Sequence, residues 1–295
     1  MRLLKFLLLL HEFKSAAVKR VKKLINIKTM MTGKIPVILF CLLALTSCSK
    51  DKLENVQITR ETTLHSQIIN DDYNIYFYLP SDYNENQKYP VIFLLDGDWH
   101  TKMVAKEINQ LWTDNVIPEC ILAGIGNSAQ RMRDYTYPED KNNKGSGHAD
   151  QYYKFIRDEL IPYVDSNYST DTTQRIIAGH SLGGFFVLYA MFRQNNNNEL
   201  FSGFVAASPS IWWDNAFLLK SEKEYSETHT DLPVKLFLSA GSDEGITNML
   251  NSEMRERLES RGYADFQTKQ MNFENKGHEG ASIPGFVEGI KFVLN

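Results

Sequence analysis

Apolar residues fall along this chain in two alternating rhythms. Residues 91–95, 120–126, 176–178, 201–207 and 234–240 are short, nearly continuous apolar runs, as strands covered on both faces require. Between them, apolar positions recur every three or four residues over about 104–112, 152–161, 248–258 and 283–294, which predicts helices, the second ending near Pro162. Residues 56–65 and 75–79 instead alternate, with β-branched and aromatic side chains, and predict an antiparallel hairpin at a sheet edge. A last strand is expected over 266–273. Strands and helices taking turns predict an α/β fold: a mostly parallel central sheet with an antiparallel N-terminal hairpin and helices on both faces.

The first 55 residues follow another pattern. Residues 3–10 are apolar and lead into a basic stretch with Lys19, Arg20, Lys22 and Lys23, and a second apolar run, 35–45, follows Lys34. That second run is short for a membrane span and has the length of a signal-peptide core. It ends in Leu45-Thr46-Ser47-Cys48, which resembles a bacterial lipobox. The expectation is cleavage before Cys48, a lipid on its sulfur, and a chain anchored in the bacterial cell envelope; an ordinary signal peptide or a retained anchor is the alternative. Translation starting at Met30 or Met31 fits this pattern better than a start at Met1. The expected organisation is leader and signal over 1–47, a tether over 48–55, and one catalytic domain over 56–295.

Composition sharpens this. At 295 residues and 43% hydrophobic content the chain can build one sizeable core. Losing residues 1–47 removes nine Lys or Arg and one Glu, taking the formal charge from −4 to −12. Such acidity argues against nucleic acid as a partner. Of three cysteines, Cys41 leaves with the signal and Cys48 carries lipid, so Cys120 alone can build neither a disulfide nor a cysteine metal site.

The densest chemistry lies at Gly179-His180-Ser181-Leu182-Gly183. A lone GxSxG is weak evidence, but here an apolar run precedes it and a helical pattern follows, as in a nucleophile elbow. Leu182 would then open a helix and offer its N–H to an oxyanion. The strand 91–95 stops at Asp96-Gly97-Asp98, whose Gly97 and Asp98 N–H groups are candidates for the other half of that hole, a plain strand-to-helix turn being the alternative. Arg131 and Arg133 begin a long polar stretch, 127–148, where they either contact substrate or anchor the loop; its later part, 140–147, reads as solvated. Trp212 and Trp213 follow another strand and either pack or wall a ligand pocket.

A serine hydroxyl attacks an ester only if a base takes its proton, and in α/β-hydrolases acid and histidine follow the serine in that order. Of seven histidines, His11 lies in the leader and His65, His100 and His148 precede the elbow. His180 belongs to the elbow turn, its side chain expected to point away from the hydroxyl, and His229 sits in the polar run 221–231. His278, in a glycine-flanked turn after a further strand, is left as the base. Asp243 and Glu244 both follow the strand 234–240, and spacing alone does not choose between them.

The segments 89–97, 131–134, 155–163, 179–184 and 208–213, with the His278 turn, resemble the esterase family of the α/β-hydrolase fold. That family includes S-formylglutathione hydrolases, enterochelin-type siderophore esterases, feruloyl and acetylxylan esterases, and mycolyltransferases. The likeness runs from about Val56 onward. It implies a serine esterase without metal or cofactor, acting through an acyl-enzyme on a small-molecule or glycan-linked ester, with acyl transfer to an alcohol as a variant. It implies Ser181 as nucleophile, His278 as base, and an acid at the fourth position of Gly241-Ser242-Asp243-Glu244. Many members have aspartate there; this chain has Glu244, with Asp243 one residue earlier. A catalytically silent binding lipoprotein would show a broken triad, and these residues look intact.

Overall fold

Strand β3 (Tyr89–Leu94) is buried at every position, and its side chains alternate between two cores. Val91 and Phe93 point to one face of the sheet, and Ile92 and Leu94 to the other. The computed structural model describes residues 57–194 and 199–295. The leader, the Cys48 lipobox, the tether through residue 55, Val56 and residues 195–198 lie outside the described residues.

A hairpin of β1 (Arg60–Ser66) and β2 (Asp71–Tyr78) enters the sheet antiparallel to β4 (Ile121–Ile125). From there every pairing is parallel, through β3, β5 (Thr170–His180), β6 (Gly203–Ala207), β7 (Lys235–Gly241) and β8 (Gln267–Phe273). The order is β1-β2-β4-β3-β5-β6-β7-β8. This is the expected mixed sheet, with β5 flanked by β3 and β6, and crossover helices covering both faces.

Two helices, α1 (Gly97–Thr113) and α8 (Ser282–Leu294), cover one face, where Val104, Ile108, Phe286 and Ile290 meet Ile92, Ile176 and Val205. The other face carries α2 (Arg131–Tyr135), α3 (Ala149–Phe155), α4 (Ile161–Asn167), α5 (Leu182–Met191), α6 (Trp213–Ser226) and α7 (Gly245–Arg261). All ten residues of α5 are buried, so the helix that follows Ser181 is walled in on every side.

Several elements depart from expectation: α2 lies inside the stretch 127–148 that reads as a polar loop, and β5 begins at Thr170, before the apolar run that predicts it. The helix over 152–161 does not stop at Pro162 but continues through a π-helical turn, Ile156–Leu160, into α4, which carries Pro162 in its first turn. Proline has no N–H to donate, and the wide turn relieves the clash its ring would make with the preceding carbonyl. The run 221–231, read as merely polar, begins inside α6. Its buried face includes Glu222, fully buried and paired with Arg261 at 2.8 Å, so a core position is filled by a charged residue. No helix among the described residues is long and apolar enough to cross a membrane.

Candidate active site

Ser181 stands between β5 and α5 with φ 61° and ψ −117°, a conformation that costs a residue bearing a Cβ about 1–3 kcal/mol. The surroundings hold it there. Its N–H donates to Ala207 O at 3.0 Å, and its carbonyl accepts from Phe185 and Ser210 N–H, each at 3.0 Å. Gly179 is required because strand and helix backbones touch: a Cβ on it would lie 2.5 Å from the Gly183 carbonyl.

His278 lies in the turn after β8. Its Nδ1 is 2.6 Å from Glu244 Oε2, and since a carboxylate only accepts, Nδ1 carries the proton and Nε2 the free lone pair. Glu244 immediately precedes α7, and its side chain is 8% exposed. Burial alone would raise its pKa. Hydrogen bonds from His278, from Gly241 N–H (2.7 Å) and from Ser208 Oγ (2.7 Å) outweigh that and hold it below the usual carboxylate range. Asp243 is exposed and receives the Ser242 hydroxyl at 3.1 Å, so of the two neighbouring acids it is Glu244 that meets His278.

Two serines that the sequence reading gave no role flank Pro209. Ser208, at φ 44°, binds Glu244, while Ser210 Oγ is 3.5 Å from Ser181 Oγ. The available signal was their place at the C-terminal end of β6, which pairs with β5 at Ala207 and His180.

On the other side of Ser181, two helix N-termini emerge from paired strands, β3 and β5. Leu182 opens α5, while Gly97 and Asp98 open α1. The first N–H groups of a helix have no acceptor within it, so both termini present donors at this end of the sheet. Beneath them Asp96, at φ 51° and fully buried, takes a two-pronged bond from Arg131 Nε and a terminal nitrogen, each at 3.0 Å. Burial raises the Asp96 pKa, and Arg131 opposes it. The same guanidinium reaches His180 O at 3.2 Å and lies 5.4 Å from the Trp99 ring centre. The Asp98 carboxylate accepts the Ser128 hydroxyl and N–H, and Arg133 binds Asp134 at 2.6 Å and Asp71 at 2.9 Å. For both arginines, then, the guanidinium is engaged in anchoring loops. Trp213 is buried, its indole N–H on Pro138 O at 3.3 Å, whereas Trp212 is half exposed.

Among the described residues no three His, Cys, Asp or Glu side chains are grouped to hold a metal. Burial pushes the Cys120 thiol up to about 12, so it is no nucleophile.

This arrangement has relatives. The family model described as "Putative esterase" matches residues 66–282. The chain belongs to this esterase family. Ferri-bacillibactin esterase BesA of Bacillus subtilis is 28% identical over 264 residues, covering 80% of this esterase and 90% of the relative. The BES protein of Bacillus cereus superimposes with a TM-score of 0.71 at 23% identity, covering 82% of this esterase and 97% of that chain. An IroE-like serine hydrolase of Shewanella oneidensis gives 0.71 at 24% identity, covering 79% and 78%. The resemblance read from the motifs holds for family and fold, and this esterase is a hydrolase acting on esters.

Proposed function

We propose that this esterase uses Ser181, His278 and Glu244 as a catalytic triad and that its substrates are siderophore-type carboxylic esters. The observation that carries the triad is the His278–Glu244 bond of 2.6 Å, which leaves Nε2 as the one ring nitrogen able to take a proton. Ser181 Oγ attacks the ester carbonyl carbon as its proton passes to His278 Nε2. The carbonyl oxygen, now negative, faces the N–H groups of Leu182 and of Gly97 or Asp98. Collapse breaks the carbon–oxygen bond, His278 returns the proton to the leaving alcohol, and water repeats the sequence on the acyl-enzyme. No metal or cofactor is needed for these steps.

The substrate class is supported by the ferri-bacillibactin esterase, which matches over most of both chains. It is compatible with the exposed rings of Trp99 and Trp212, borne by the segments after β3 and β6. For residues 1–55 we propose the organisation given above, with a lipid on Cys48 placing the domain in the cell envelope; fatty-acid labelling lost in Cys48→Ala tests this.

The deciding experiment offers the protein a trilactone siderophore with and without iron beside a p-nitrophenyl acyl series, with Ser181→Ala in parallel. Ring opening of the siderophore that disappears in Ser181→Ala is expected. Hydrolysis surviving that substitution overturns the triad, and cleavage of simple esters alone overturns the substrate class.

A further inference from the structure

Three imidazoles line up under the elbow. His100, from α1, meets the His180 ring edge-on at 6.0 Å, and the His180 ring lies 4.5 Å from that of His278. His180 is 3% exposed, and its Nε2 is 3.0 Å from the backbone carbonyl of His278. A carbonyl oxygen can only accept, so His180 must carry its hydrogen on Nε2. Its own carbonyl is held in turn by Arg131 at 3.2 Å. Residue 180 is therefore fastened through its main chain to the loop after β4 and through its side chain to the turn after β8.

We propose that His180 is a positioning residue for the base: its neutral Nε2–H fixes the His278 main chain, and thereby the angle at which the His278 ring meets Ser181. This rests on the reading of His278 as the base. The Glu244 bond constrains the ring at Nδ1 alone, and an imidazole held at one atom can swing about that point. Anchoring the residue's own carbonyl supplies the second constraint. The geometry also requires that His180 stay uncharged, since a second cation 4.5 Å from the ring that must accept a proton would oppose the transfer. Burial, reinforced by His278, holds His180 down to about 3.

The test compares His180→Gln, whose amide nitrogen can occupy the place of Nε2 and still donate, with His180→Leu and His180→Phe, which fill space without a donor. The glutamine variant should keep kcat within about tenfold. Both apolar variants should lose about a hundredfold in kcat with KM within about twofold, a displacement of the order of 1 Å being enough for such a loss. Equal losses in glutamine and apolar variants, or no loss in any, overturn the proposal. Should the apolar variants not fold, nitrogen NMR of the unmodified full chain decides. His180 observed as the neutral Nε2–H tautomer from pH 5 to 9 supports the proposal, and the Nδ1–H tautomer or a titration in that range overturns it. Ser181→Ala distinguishes the two failures: if it retains activity the triad reading is wrong, whatever His180 does.

Discussion

The loops on the two sides of Ser181 handle charge in opposite ways. On the β3 and β4 side the buried Asp96 is matched by Arg131, and Asp134 by Arg133, before any substrate arrives. On the β6 to β8 side, Glu244 has no lysine or arginine within ion-pair distance among the described residues; its partners are a serine, a backbone N–H and the His278 ring. A matched carboxylate has little left to respond to, and serves as framework. An unmatched one, held ionised by neutral donors, would on the proposed mechanism gain its counter-charge when the imidazole is protonated. On that mechanism one side stays still and the other changes charge.

The most severe way to break the contrast is Glu244→Gln, which keeps the shape and removes the charge. On the proposed mechanism kcat should fall by about 10³- to 10⁴-fold, with the urea midpoint lowered by the loss of the ionised carboxylate's contribution; Asp243→Asn, one residue earlier and exposed, should leave kcat within about twofold and the midpoint unchanged. The framework side should show the inverse pattern. Arg131→Met strands a buried carboxylate and should cost about 3–5 kcal/mol in urea unfolding, most of it recovered by adding Asp96→Asn.

Acid sharpens the comparison. Glu244 is held below its ordinary pKa, so its contribution is present at neutral pH and lost as pH falls through the folded value. His180 is also depressed, to about 3, so its contribution is intact above the unfolded value near 6.5 and is lost as pH falls from there toward the folded one. Unfolding free energy should therefore decline by a few kcal/mol, of order 1.4 per pH unit, once the pH drops below about 6.5, and less steeply in His180→Gln. The smallest effect is expected at the rim. Trp212→Ala should leave stability within about 0.5 kcal/mol and raise KM a few-fold for bulky esters, whereas Trp213→Ala should cost about 3–5 kcal/mol.

Much of this was written in the chain. β3 and the last part of β5, from Ile176, announce themselves because a strand buried on both faces has little room for polar residues, whereas the polar, largely exposed start of β5 gave no such signal; the histidines reduce to His278 because only it follows the acid and a further strand. The choice between Glu244 and Asp243 depended on where α7 begins, a boundary that periodicity places only to within a few residues. Helix α6 was hidden by Glu222, a charge whose partner Arg261 is 39 positions away and therefore invisible to local pattern. Its opening was hidden too, since Asp214, Asn215 and Ala216 are all left-handed, and alanine gives no warning of that. For Arg131 and Arg133, residue type left substrate contact and loop anchoring both open and could not say that the partners are Asp96 and Asp134.

The backbone of Ser181 has a consequence for how this fold can age. A residue kept at φ 61° and ψ −117° taxes every copy of the protein whether or not substrate is present. Glycine at that position would be relieved of the burden, so on the proposed mechanism the substitution expected to silence the enzyme is also one that makes it sturdier. Within a lineage released from selection for hydrolysis, the elbow is where decay and stabilisation coincide, and an inert but durable scaffold is one codon change away.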